Sequence, residues 1–358
     1  MHALMTAVRR RRPARLVAGL AVVLALGTLA ACGSATADGK SPDGETTTIR
    51  YQSYAGQVDV LQLADALGYL DGLTLEKVGD VTGGPQSVQA LTSHQVDISA
   101  SCFFGAIAQL VATGAPIEAV VSTYGSSDKI SSGIVTLAGS PIKDAKDLVG
   151  KKVAVNTLGA NAEAVIDTWL KKSGLSDDEI KEVTLVPLPP LNTVQALQQH
   201  QIDAADIGSG QIQATEATGV ELQTLVKDTD VVGPYNGGGF AMTEDFLEQN
   251  PETSEQLVTG VAKAVRYIES HSRDEVLKVY DAWLQDNGYS GYVEAVDQNW
   301  GGSTGVATPE TAAISDGDIS LWLDWLADRG DVDPSKIQPS DVYTNQYNDL
   351  AQTSAGAE

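Results

Sequence analysis

A ten-residue stretch occurs twice in this chain, so the fold must seat one structural unit in two places. Val88–Asp97 reads V-Q-A-L-T-S-H-Q-V-D and Val194–Asp203 reads V-Q-A-L-Q-Q-H-Q-I-D, identical at seven of ten positions. Apolar residues at i, i+3 spacing (Val88 and Leu91, Val194 and Leu197) predict a short helix in each copy. A polar bend follows at Ser93-His94-Gln95 and Gln199-His200-Gln201, and an apolar strand then begins at Val96 or Ile202. His94 and His200 recur with the scaffold, which favours turn or capping roles. Asp97 and Asp203 recur in the same way, which favours a structural hydrogen bond over an acid/base pair.

The echo extends outward. Ile49–Ala55 and Val153–Gly159 each read as a strand entering a small-residue loop, and the helical patterns 61–70 and 162–172 end at Asp71-Gly72-Leu73 and Ser173-Gly174-Leu175. Each copy is therefore expected to be a β-α-β-α-β unit. Two such units predict an α/β chain of two similar lobes, each a mostly parallel sheet flanked by helices, with a ligand cleft between them.

The N-terminus reads as an export address. Arg9–Arg12 and Arg15 precede an apolar run from Leu16 to Ala31, too short to span a bilayer comfortably. The run ends in Leu29-Ala30-Ala31-Cys32, which resembles the bacterial lipobox. That resemblance implies cleavage before Cys32 and a lipid on its thiol, with an uncleaved anchor or a plain secretory signal as alternatives. Cleavage removes five arginines and no acids, taking the formal charge from −24 to −29. An acidic chain with dispersed charge is a poor match for nucleic acid, which needs clustered Lys and Arg. The expected boundaries are 1–31 signal peptide, 32–48 flexible tether, 49–125 first lobe, 126–232 second lobe, and 233–358 a return to the first lobe with C-terminal helices. Tyr124–Ser127 and Val231–Gly239 read as the two crossings. The periodicity predicts helices over 251–271, 273–285 and 309–327 that clothe the first lobe.

Five motifs in order carry a family resemblance: A-D-A-L-G-Y-L at Ala64–Leu70 with G-L-T-L after it, G-G-P-Q-S-V-Q-A-L at Gly83–Leu91, Q-V-D-I at Gln95–Ile98, D-L-V-G-K-K-V-A-V at Asp147–Val155, and A-L-Q-Q-H-Q-I-D-A at Ala196–Ala204. The chain resembles the solute-binding proteins of ABC importers, in the group that takes sulfonates, taurine, nitrate or the thiamine pyrimidine precursor. The resemblance implies a type II periplasmic-binding-protein-like fold, a hinge at the two crossings, closure on ligand, and delivery to ABC permease subunits. It also implies a monomer lipid-anchored on the extracytoplasmic face of the cell membrane. Enzymes sharing this fold, and a ligand-sensing lipoprotein, are the alternatives.

Ligands of open parallel sheets sit at the strands' carboxyl ends. By position this nominates Ser53, Tyr54, Gly84, Pro85, Gln86, Ser101, Cys102, Asn156, Thr157, Gly159, Ser209 and Asn236. Tyr54 would offer an aromatic wall, and Gln86, Ser101, Asn156, Thr157 and Asn236 hydrogen bonds. The backbone N–H groups of Gln86 and Gly159 would receive a negative end. Gly83-Gly84-Pro85 suits a helix start at a binding loop, and equally a plain strand-to-helix turn. No arginine falls in a predicted cleft loop: Arg50 lies within a strand, and Lys129, the nearby cation, reads as a solvated loop charge. Cys102 has no histidine close in sequence, which favours an inert buried thiol over a nucleophile. No metal-ligand spacing and no cofactor motif are present.

Overall fold

The computed structural model describes residues 39–41 and 44–355. Cys32 and the proposed signal peptide lie outside the described residues, as does part of the tether. Among the described residues no helix is long and apolar enough to cross a membrane.

The described residues form ten strands: β1 (Thr48–Ser53), β2 (Thr74–Asp80), β3 (Cys102–Phe103), β4 (Ile117–Ser126), β5 (Ser132–Leu137), β6 (Lys152–Val155), β7 (Thr184–Pro187), β8 (Ala204–Gly208), β9 (Leu222–Lys227) and β10 (Tyr235–Thr243). The second lobe carries a five-stranded sheet in the order β7-β6-β8-β5-β9. Its β7, β6 and β8 are parallel, whereas β5 runs antiparallel to both β8 and β9. Side chains alternate between its two faces: Val153 and Val155 enter one apolar cluster while Ala154 enters another. Both faces are covered, so these strands read as apolar runs without polar alternation.

The first lobe holds a parallel pair, β1-β2, and an antiparallel set, β3-β10-β4. The strand expected over Val96–Ser101 does not form a ladder there; only β3 is paired. Side chains occupy the places a ladder would use. The hydroxyl of Ser87 accepts the N–H of Ala100 at 2.6 Å, and that of Ser99 accepts the N–H of Ala241 at 2.8 Å.

The repeat acts as one device used twice. The helices Gly84–Thr92 and Pro190–Gln198 both end in a left-handed histidine, His94 and His200, each at φ 55°. In each, the N–H of the histidine and of the following glutamine return to the last turn, closing the helix end (His94 to Leu91 and Gln95 to Ala90; His200 to Leu197 and Gln201 to Ala196). Each aspartate then grips the first strand of its own unit in both directions. Asp97 accepts from the N–H of Arg50 at 2.8 Å and donates its own N–H to the Arg50 carbonyl. Asp203 does the same with Lys152. Arg50 also pairs with the Asp97 carboxylate at 2.6 Å.

β4 and β10 are the crossings. They pair antiparallel along their whole length, from Thr243 opposite Ile117 to Tyr235 opposite Ser126. β10 threads between β3 and β4, and Gly238 and Gly239 let it: a Cβ at either would overlap a neighbouring carbonyl oxygen, Cys102 O or Val121 O.

The helix Pro251–Ser270 packs its apolar face on the helix Val60–Ala66 and on β4. Ser272 caps the next helix, Arg273–Asp286, with a reciprocal bond to Glu275. The helix expected over 309–327 begins only at Asp316, where Ser315 and Asp318 form the capping box, and runs to Arg329. It packs on the first-lobe helix Phe104–Ala112, but its Arg329 reaches Glu163 at 2.6 Å and Asp167 at 2.9 Å on the second-lobe helix Asn161–Lys172. The C-terminal helices therefore clothe the first lobe and also touch the second. The helix Ser209–Ala217 has no periodic signature in the sequence, because it carries almost no apolar stripe.

Candidate functional site

A cavity of about 390 Å³ lies where the two lobes and the β4-β10 crossing meet. The first lobe supplies Tyr54, Gln57, Gly84, Ser101 and Phe103; the crossing supplies Tyr124 to Ser126. The second lobe supplies Ser131, Asn156, Asn161, Asp206 and Gln211, and the C-terminal segment adds Trp300 and Thr304. Two helices begin at lining residues with their own backbone N–H groups, Gly84 and Asn161, and Pro190 and Gly208 mark two further helix starts at the wall.

The walls are held from behind. The hydroxyl of Tyr54 donates to the carbonyl of Ser101 at 2.8 Å, and the hydroxyls of Ser101 and Thr123 bond at 2.7 Å. Phe103 stands edge-on to Trp322, ring centres 4.8 Å apart, and so does Tyr235 at 5.3 Å. Burial pushes the phenols of Tyr54, Tyr124 and Tyr235 well above their ordinary range, so all three stay neutral.

The jaws touch. Asn156 Nδ2 donates across the gap to the carbonyl of Thr82 at 3.4 Å. Thr157 rests on Gly83 so closely that a Cβ on Gly83 would collide with its methyl group. On the other side a Cβ at Gly210 would lie 2.6 Å from the carbonyl oxygen of Asn299.

Of the residues nominated from sequence, Tyr54, Gly84, Ser101 and Asn156 line the cavity. The other eight do not, because their polar groups are spent elsewhere or their side chains point away. Ser53 is buried in β1, with its hydroxyl near Asp80 at 3.4 Å. Gln86 is exposed and folds back to accept the N–H of Thr82. Pro85 starts the same helix without lining the space. Cys102 is fully buried behind Gly84, whose Cβ would lie 3.0 Å from its Sγ. Burial pushes that thiol up, away from thiolate. Thr157 packs on Gly83, and the N–H of Gly159 is taken by Glu163 at 2.8 Å. Ser209 donates its N–H to Ser131, and Asn236 accepts the N–H of Ala307 at 2.7 Å inside β10. Lys129 pairs with Glu269 at 3.1 Å and does not reach the cavity.

Two acids sit on the second-lobe side. Asp228 is buried, with four donors on its carboxylate: the hydroxyls of Ser126 at 2.5 Å and Tyr235 at 3.0 Å, and the N–H groups of Ser132 and Thr229. Asp206, on β8, has no donor on its carboxylate among the described residues, and it faces the cavity. Its pKa is pushed up to about 7, first by burial and then by the charge of Asp228. No Lys, Arg or His is among the lining residues. No group of three side chains among the described residues could hold a metal ion.

The description NMT1/THI5 like fits residues 57–274, well over half of the chain. The chain belongs to the NMT1/THI5-like family. No curated protein matches its sequence significantly. Solved structures similar to this NMT1/THI5-like chain include the alkanesulfonate-binding protein SsuA from Xanthomonas axonopodis pv. citri bound to MOPS, at TM-score 0.63 and 20% identity over 84% of this chain and 99% of that one. The periplasmic nitrate-binding protein NrtA from Synechocystis PCC 6803 is similar at TM-score 0.62 and 15% identity, over 87% and 89%. The desulfurization enzyme DszB is similar at TM-score 0.55 and 16% identity, over 86% and 99%. The fold of this family member is thus the two-lobed α/β fold that these binding proteins share.

Proposed function

We propose that this protein is an extracytoplasmic solute-binding lipoprotein that captures a small molecule between its lobes and hands it to an ABC permease. The observation that carries the reading is the cavity at the meeting of two lobes joined by one antiparallel strand pair. Such a joint can flex without breaking either core. The fold neighbours named for sulfonate and nitrate binding support the same reading. The lobes are assigned to 49–125 and 126–232, with 233–358 returning to the first. Lipid on Cys32 anchors the chain, which works as a monomer. Tyr54, Ser101 and Asn156 contact the ligand directly.

Binding to the closed form raises the melting temperature in proportion to the logarithm of ligand concentration. A thermal-shift screen of sulfonates, nitrate, pyrimidines and small amines, followed by mass spectrometry of each bound compound, tests this. A hit recovered unchanged supports capture; a hit converted to product would place the protein with the enzymes of this fold. Palmitate labelling that survives Cys32→Ala would remove the anchor.

A further inference from the structure

The cavity has a polar composition that solute capture alone does not require. Its lining contains a carboxylate and no positively charged side chain. The two neighbouring acids are treated differently by the fold. Asp228 is saturated with donors from Ser126, Ser132, Thr229 and Tyr235, which identifies it as a structural anion that staples the start of β5 to the crossing. Asp206 receives nothing from the protein, although β8 is otherwise the apolar run Ala204, Ala205, Ile207. The Asp206 carboxylate is half-buried at the cavity wall and has no protein donor, so its acceptor oxygens are open to a donor on a bound molecule.

A second lining residue is also incomplete. Asn161 Oδ1 lies 3.0 Å from the Tyr235 hydroxyl, and the amide Nδ2, a donor, is buried without a partner. Both residues line the same space. The aromatic side chains Tyr54, Phe103, Tyr124 and Trp300 lie around it.

We infer that Asp206 is the specificity-determining residue of this pocket, reading a cationic or N–H-donating nitrogen on the ligand. The ligand is then an amine, amidine or amino-substituted ring, and simple oxoanions lacking such a nitrogen are poor ligands. This rests on the solute-binding reading and narrows it. Any electron-rich end of the same molecule is received by the helix N-termini on the cavity wall, which need no charged side chain to do so. The pairing has a definite geometry: the nitrogen donates and the Asp206 carboxylate accepts, in a charge-assisted bond. An anion placed there would instead face Asp206 with no cation to offset it.

The test uses matched pairs that differ by one nitrogen: 2-aminoethanesulfonate and ethanesulfonate, benzamidine and benzamide, 4-aminopyrimidine and pyrimidine. Affinities are measured by calorimetry on the full mature chain and on its Asp206→Asn variant. In the native protein the amino or amidino member of at least one pair binds tenfold or more tighter than its mate. In Asp206→Asn, which keeps shape and removes charge, that preference shrinks at least fivefold, through weaker binding of the nitrogen-bearing member and, where the mate is the anion ethanesulfonate, through tighter binding of the mate. Asn161→Ala serves as a second variant; it weakens both members of the pair together. Equal affinity within every pair that binds, or a preference that survives Asp206→Asn, overturns the inference and leaves solute capture standing. Failure of every probe to bind the native protein overturns both.

Discussion

Replacing Asp206 by Asn in the ligand-free protein should change stability in a way that depends on pH with a definite sign. The carboxyl titrates at about 7 when folded, against an ordinary 3.8. A raised carboxyl pKa means that the folded chain holds its proton longer than the unfolded chain. Native stability therefore falls as pH climbs from about 4, and the loss is complete a little above 7. A gap of roughly three units at about 1.4 kcal/mol each sets an upper bound near 4 kcal/mol. The carboxylate opens on a cavity roomy enough for water, so about 2 kcal/mol is the more realistic figure. Asn does not titrate and escapes this cost. Asp59, raised to about 6 mainly by its burial, is present in both proteins and cancels. Urea unfolding of both chains, refolded first to strip bound solute, should give nearly equal free energies at pH 4. At pH 8 the Asn variant should lead by about 2 kcal/mol, within the bound worked from one pKa unit being about 1.4 kcal/mol. A difference that stays flat from pH 4 to 8, or a native chain that is the more stable at pH 8, would refute the reasoning.

Other consequences follow from the joints of the fold. Gly83→Val puts a side chain into the space Thr157 occupies, so it should force the jaws apart and cost any bound solute at least tenfold in affinity by calorimetry. His94→Gly and His200→Gly each relieve a left-handed φ of 55°, and each should stabilise by about 0.5 kcal/mol or more in urea titrations. Asp203→Ala strips an acceptor from the exposed N–H of Lys152 and should cost about 0.5–1.5 kcal/mol. Asp97→Ala should cost more than Asp203→Ala, because it also strands the half-buried guanidinium of Arg50; equal losses in the pair would disprove that ranking.

Local patterns carried a large part of this structure. Helix starts at Gly-Gly-Pro and at Ser272, the polar turns at the two histidines, and the aspartates that close each unit all depend on residues a few positions apart. Local chemistry decides such features, so they are legible in one dimension. The duplication added the architecture, since two copies of one β-α-β-α-β plan leave a gap where their strand ends meet. The same patterns erred where a neighbour in space took over. The run Val96–Ser101 has strand composition, but Ser87 and Ser99 intercept its pairing partners. The helix expected from Pro309 waits for the cap at Ser315.

The pocket's membership lay furthest from sight. Position in the strand order brought Tyr54, Gly84, Ser101 and Asn156 to the cavity, yet gave no sign that Ser53 and Cys102 turn into the core while Gln86 folds back on Thr82. Trp300 and Thr304 arrive from far along the chain, through the packing of helices whose sequence says nothing of the cleft. One signal was present and unread: Asp206 is a single acid in the apolar strand Ala204–Gly208. Sequence alone determined that the chain would build two jaws, because backbone turns and periodic apolar faces are set by near neighbours. Only the folded chain decided which side chains meet between them, because that depends on where each polar group finds its partner in three dimensions.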